Sequence, residues 1–193
     1  MTPFLSFLTS LTPLSTSAIR DIENLAQKAS FSKKQILIPN LAICEHLYFI
    51  KNGLARAYFY HEGKEITDWF GLKNMIIGPI VRRFPIKDTQ HKVELLEDTE
   101  VVYVSFAELE QLYQKHHDVE RLGRLIAIQA LLMMQKKVDS IQLLSAKQRY
   151  EQFLEDYPSL YQRASLTHIA SYLGMNLVTL SKIRRKDWLF SLG

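Results

Sequence analysis

Cysteine is nearly missing from this 193-residue chain, where Cys44 stands alone. A single thiol excludes a disulfide framework, a four-cysteine zinc site and an iron–sulfur cluster held by four thiolates. Glycine and proline are scarce, at seven and six residues, which excludes collagen-like or linker-like composition. Long apolar runs are missing too. The longest, residues 125–134, is interrupted by Gln129 and has about half the length a membrane helix needs. No basic residue precedes Arg20, so the mildly apolar opening TPFLSFLTSLTPL lacks the charged start of a secretory signal. The expectation is a cytoplasmic protein with no membrane partner.

What is present has the balance of a folded globular chain, 47% apolar and 23% charged, which excludes wholesale disorder. The net charge of +4 is modest but uneven. From Ser145 onward seven lysines and arginines face four acids, a net +3, leaving +1 for the first 144 residues. Four of those bases crowd into Lys182–Lys186, interrupted only by Ile183. A basic run of this kind is a solvated helix face or a surface for a polyanion, and its context decides which.

Three stretches read differently. Residues 16–30 place Ile19, Ile22, Leu25 and Ala26 at helical spacing and predict a short amphipathic helix. From about Gln35 to Val104 the text is strand-like: ILI (36–38), HLYFI (46–50), LARAYFY (54–60), EITDWF (65–70), MII (75–77), VELL (93–96) and VVYVSF (101–106). Turn signals at 51–53, 61–64 and Gly71 are spaced as in an antiparallel roll or sandwich. Residues 79–92 carry two prolines and little periodicity, and read as an irregular loop or short helix. After Phe106 the period becomes helical: 107–117, then a long segment from Asp118 with no proline until Pro158. A helix of about 25 residues runs near 38 Å, too long for a small β domain to cover. Its stripe, with Leu122, Leu125, Ile126, Ile128, Leu132 and Met133 as the candidate interface, is expected to meet the same helix of a second copy in a homodimer. Residues 145–157 form a further helix with Tyr150, Phe153 and Leu154 on one face, and SLYQRA is a connector.

The strongest local signal is SLTHIASYLGMNLVTLSKIRRK, residues 165–186. Ser165 fits an N-cap, and Ile169, Ala170 and Leu173 form an apolar face. Gly174 sits where the chain must turn, and Asn176 caps a second helix burying Leu180 and Ile183. Two short helices meeting at a glycine, with a small residue at the contact, are the anatomy of a helix-turn-helix. A major groove admits such a helix. Lys182 is placed to reach a guanine edge, while Thr179 and the backbone near Asn176 suit phosphates. Arg184, Arg185 and Lys186 suit phosphate neutralisation. With Ser165 and Thr167 from the first helix, these are the candidate contacts to double-stranded DNA. The bland alternative is that Asn176 only caps and the bases only answer the helix dipole.

With these strings in order, the chain resembles the Crp/Fnr (catabolite activator protein) superfamily, in its short form of about 190 residues. The strings that carry the likeness are HLYFIKNGLARAYFYHEGKEIT (46–67), VELLEDTEVVYVSF (93–106), ERLGRLI (120–126) and IASYLGMNLVTLSKIRRK (169–186). The resemblance implies an α+β chain: a cyclic-nucleotide-binding-like antiparallel β-roll over 1–117, a dimerisation helix over 118–144 and a helix-turn-helix domain over 145–193. It implies a homodimeric transcription regulator on an inverted-repeat operator, with RNA polymerase as a candidate further partner. The departures are as informative. Where cyclic-AMP-binding members carry a Gly-Glu pair and an Arg-Ser/Thr pair, this chain has Gly78-Pro79 and Thr89-Gln90-His91-Lys92. Cyclic AMP is therefore not expected and no cofactor is implied, while Gly78, Arg82, Arg83 and Lys92 remain a candidate pocket for another effector. On the recognition helix, Val178 stands where the family usually has glutamate, and Lys182 where it has arginine. The tail 186–193 is expected to fold back on the domain.

Enzymatic readings have little support. His116 and His117 are neighbours, so on a helix they point about 100° apart and read as a surface helix end. Cys44 and His46 share one strand face, but two ligands make no metal site, and a buried free thiol is expected. Asp68-Trp69 and Glu97-Asp98 read as strand-end or turn residues, and neither a glycine-rich phosphate loop nor a G-x-S-x-G elbow occurs. The competing reading is a sensor module for a small ligand or a protein, with a degenerate helix-turn-helix.

Overall fold

The structure, a computed structural model, describes residues 2–78 and 91–190, and side chains as far as 185. The chain forms two compact units that are not contiguous in sequence: 1–57 with 70–131, and 58–69 with 132–193.

The first unit opens with two helices, α1 (Pro3–Leu11) and α2 (Thr16–Leu25). Pro3 sits where a helix has no N–H to lose, and the Thr2 and Ser15 hydroxyls accept free first-turn amides. The helix read over 16–30 stops at Leu25, and residues 27–31 form a strand instead. That strand, β1 (Gln27–Phe31), has no buried residue, so it carries no apolar alternation to read. The other strands are β2 (Ile36–Ile38), β3 (His46–Asn52), β4 (Leu54–His61), β5 (Lys64–Leu72), β6 (Ile76–Ile77), β7 (Lys92–Leu95) and β8 (Thr99–Ser105). Among the described residues they make two four-stranded sheets, in the orders β1-β8-β3-β6 and β2-β7-β4-β5. The pairing of β3 with β8 sets Tyr48 opposite Tyr103 and Phe49 opposite Val102. Period-two alternation then turns Phe49 and Val102 to one face, where they pack with Phe4, Leu8 and Ile22. In the second sheet Arg56, only 2% exposed, donates from Nε to Glu94 at 2.7 Å, which answers the charge buried there.

Helices α3 (Phe106–Lys115) and α4 (His117–Leu143) follow without a loop. His116, at the joint, is buried rather than on the surface: it shares a 2.8 Å hydrogen bond with Asp21 of α2. Lys115 reaches the same carboxylate at 2.5 Å. These two hydrogen bonds hold the Asp21 carboxyl well down, at about 2. Asp118 accepts the Ser15 amide at 2.6 Å. Adjacency in sequence gave no hint of this, because Asp21 lies 95 residues away. Cys44 is a buried free thiol, but it sits in the turn before β3 rather than on the strand, with its Sγ 3.2 Å from the His46 carbonyl.

The second unit comprises the tip of the β4–β5 hairpin, the latter part of α4, and α5 (Ala146–Asp156), α6 (Leu160–Arg163), α7 (Leu166–Tyr172) and α8 (Leu177–Phe190). The stretch read as a connector, SLYQRA, holds α6, because Leu160 is fully buried and its carbonyl accepts the Ala164 amide. Ser145 and Gln148 close a reciprocal capping box at the start of α5. Tyr150, Phe153, Leu160, Ile169 and Leu180 make the core. The hairpin tip is pinned to α7 and α4. The Thr67 amide donates to the Ser171 hydroxyl at 2.9 Å, and Lys137 is 2.8 Å from an Asp68 carboxylate oxygen. The same ammonium stands 5.2 Å from the centre of the Tyr172 ring, a cation–π distance.

Candidate nucleic-acid interface

The interface is built at the corner between α7 and α8. Ser165 accepts the His168 amide at 3.1 Å and starts α7. The helix ends in a double closure. The Gly174 amide donates to the Ser171 carbonyl at 3.1 Å, and the Met175 amide to the Ala170 carbonyl at 3.0 Å. This is the Schellman arrangement, and Gly174, with φ of +64°, supplies the left-handed residue it requires. Asn176 then accepts the Thr179 amide at 2.8 Å and caps α8. Arg149 of α5 locks the corner from behind, donating to the carbonyls of Leu173 and Leu144 at 2.8 Å each. Ile169, Ala170, Leu173 and Leu180 are buried between the helices, so the relative placement of α7 and α8 is set by packing and not by one contact. Burial, with Tyr157 and then Asp156 and Asp68 close by, pushes the Tyr172 phenol upward, and it stays neutral.

Sequence position does not settle which side of α8 faces out. Val178 (63% exposed), Ser181, Lys182 and Arg185 are exposed along one stripe, with Asn176 and Leu177 exposed at the amino end. Arg184 is half-buried, on the Leu180 side rather than on that stripe, and Thr179 is half-buried too. Ser165 and Thr167 are exposed at the start of α7, with the Ser165 hydroxyl already used as a cap. Residues 186–190 of the expected tail continue α8, while the side chains from Lys186 onward and residues 191–193 lie outside what is described. A stripe holding one lysine, one arginine, a hydroxyl and an apolar valine can offer donors to base edges and phosphates, and a methyl surface to thymine.

The remaining candidate residues are dispersed. Leu122 is buried in the core of the first unit, packed with Leu112 and Val119, so it does not belong to a free stripe. Ile126 packs against the same core and Leu125 is half-buried. Beyond them Ile128, Leu131, Leu132, Met133, Met134, Val138, Ile141 and Leu143 are exposed. Of the effector set, Gly78 lies against the His46 carbonyl and Leu47, Lys92 opens β7, and Arg82 and Arg83 fall outside the described residues. Sequence reasoning missed Arg149, Lys137 and Ser171, whose partners lie 5 to 106 residues away. Among the described residues, no group of three His, Cys, Asp or Glu is placed to hold a metal, and no helix is long and apolar enough to cross a membrane.

No protein-family model matches this chain, and no curated protein does. Solved structures do. FixK2 from Bradyrhizobium japonicum superposes with a TM-score of 0.71 at 20% identity over 83% of either chain. A protein described as a crp/fnr-family transcriptional regulator from Eubacterium rectale gives 0.72 at 17% identity, over 93% of this chain and 88% of its own. The chain has the Crp/Fnr fold. The c-di-GMP-responsive global regulator CLP of Xanthomonas campestris shares it at a TM-score of 0.70 and 16% identity, over 92% of this chain and 94% of its own. The α+β class, with a cyclic-nucleotide-binding-like arrangement of strands, a long helix and a helix-turn-helix, is therefore that of these regulators.

Proposed function

We propose that this chain is a cytoplasmic transcription regulator that binds double-stranded DNA as a homodimer, with α8 of each copy in a major groove of an inverted-repeat operator. The observation that carries this reading is the α7–α8 corner. Its caps, its left-handed glycine and its buried core are all in place, and α8 turns Val178, Lys182 and Arg185 outward. The closed corner fixes α8 in place, and the outward Lys182 and Arg185 are what favour DNA contact over a degenerate helix-turn-helix. The exposed apolar residues of α4 support the dimer, because a monomer would leave them in water. Val178 and Lys182 favour thymine methyl contact and a single hydrogen bond to guanine over cytosine reading and a bidentate fork. Gly78-Pro79 and Thr89–Lys92 offer no carboxylate or arginine for a cyclic nucleotide, so regulation does not depend on cyclic AMP. RNA polymerase is the further partner where the protein activates.

The test is fluorescence anisotropy on random-sequence and then selected duplexes over a salt titration. Each phosphate contact removed lowers the log–log salt slope by about 0.9. Replacing Lys182, Arg184 and Arg185 by alanine removes at most six cations per dimer, so the slope falls by up to about 5. Because Arg184 is half-buried and off the outer stripe, Lys182→Ala with Arg185→Ala should account for most of the loss. Unchanged binding by that double variant, with the dimer intact, refutes the assignment.

A further inference from the structure

We propose that the first unit contains a binding cavity for a compact, uncharged ligand of about six heavy atoms, with an apolar body and one hydrogen-bond acceptor, between α1, α3, α4 and the outer face of the β1-β8-β3-β6 sheet. The cavity has a volume of about 110 Å³. Leu8 of α1, Ile76 of β6, Val104 of β8, Leu109 of α3 and Leu122 of α4 are among its walls. This is the opposite face of the sheet from Tyr48 and Tyr103, and Lys92 lies on a strand of the other sheet, whereas Gly78 lies against Leu47, one of the cavity walls.

A pocket of this size is large enough for water, but a well-held water needs two to four polar partners. The side chains lining this one offer a single polar group, the Tyr113 hydroxyl. An enclosed apolar cavity of about 150 Å³ takes up benzene or xenon; this one is smaller and opens partly to solvent, so a ligand is held by the apolar walls on one side. Water in the pocket meets almost wholly apolar walls, so a ligand that displaces it gains by covering that apolar surface.

Tyr113 gives the cavity its polarity. Its hydroxyl lies against Gly123, where a Cβ would come within 2.4 Å of the oxygen. Glycine in the middle of α4 weakens the helix, and here its missing side chain is what admits the phenol. No hydrogen-bond partner for that hydroxyl is found among the described residues; the ring is half-buried and the oxygen keeps some contact with solvent, which a ligand acceptor replaces. Burial, then the charge of Glu110, pushes the phenol up to about 12. It is therefore a neutral O–H donor at any working pH, suited to a carbonyl or ether oxygen and unsuited to a cation.

Benzene and cyclopentanone test this, since each has six heavy atoms and only the second has an acceptor. Methyl resonances of Leu8, Ile76, Val104 and Leu109 are followed during titration of the full-length protein, with circular dichroism as the control for folding. Both probes should saturate with Kd on the order of a millimolar. Ala127→Leu, which extends a half-buried wall residue of α4 into the space, should weaken both at least tenfold; Leu109→Phe does the same from α3 if the first variant does not fold. Tyr113→Phe should weaken cyclopentanone about fivefold, the factor of one ordinary hydrogen bond, and leave benzene within twofold. Titrations that never saturate, or saturation indifferent to both filling variants, overturn the cavity. A Tyr113→Phe variant that affects both probes equally overturns the role of the hydroxyl. Neither result depends on DNA binding, so this inference and the regulator reading can fail separately.

Discussion

Truncating Leu132 to alanine tests the dimer most directly. The side chain is 62% exposed in the single chain and lies in the part of α4 beyond the residues that Leu122 and Val119 anchor in the core. Full burial of a leucine gives about 1.5–3 kcal/mol, so covering the exposed fraction gives about 1–2 kcal/mol. A twofold axis repeats the change on the partner, which doubles the loss to about 2–4 kcal/mol per dimer, a weakening of about 30- to 1,000-fold in the dissociation constant. The fold of each subunit should survive, since Leu132 contributes nothing to either buried core. Sedimentation velocity over a concentration series reads the constant, and thermal unfolding extrapolated to the monomer checks the subunit. A parent protein that is monomeric throughout, or a Leu132→Ala variant that associates within twofold of the parent, refutes the twofold packing of α4. An equal loss of monomer stability would mean instead that Leu132 is covered within its own chain.

Two further outcomes follow from local geometry. Gly174→Ala should destabilise the second unit by about 1–2 kcal/mol, the cost of a left-handed alanine. The position has open space around it and a φ of +64°, so the penalty is backbone strain and not collision. Gly174→Asn should recover part of it in the same thermal melts, and an unchanged melting temperature for the alanine variant would count against the Schellman turn. The second outcome is acid sensitivity. Asp21 is held at about 2 by Lys115 and His116, below the ordinary carboxylate value of about 3.9. The stabilisation is complete above about pH 4 and is lost as the pH falls towards 2. Urea midpoints of the parent should therefore drop over that window more steeply than those of Asp21→Asn, and parallel curves would refute the linkage.

What could be read in advance divides by distance along the chain. Ser165, Gly174 and Asn176 announced the α7–α8 corner because caps and left-handed turns are decided within three to five residues. The strands from 36 to 104 were legible because period-two alternation and turn residues are equally local. β1 escaped because an exposed edge strand has no apolar face to alternate. His116 was misplaced because its partner, Asp21, lies on a helix 95 residues earlier. Leu122 fitted the long apolar stripe, but periodicity shows only that a face is covered and never by what.

The amino-acid order alone determined the class of the chain, its helix-turn-helix and the basic end of α8, all products of short-range sterics, capping and periodicity. Tertiary structure alone decided that the β4–β5 tip joins the helices of the second unit through Thr67 and Ser171. It also decided that Arg184 leaves the outer stripe and that a void opens beside Tyr113 and Gly123. The reason is physical. Packing and long-range pairing depend on which surfaces meet, and no window of neighbouring residues carries that information.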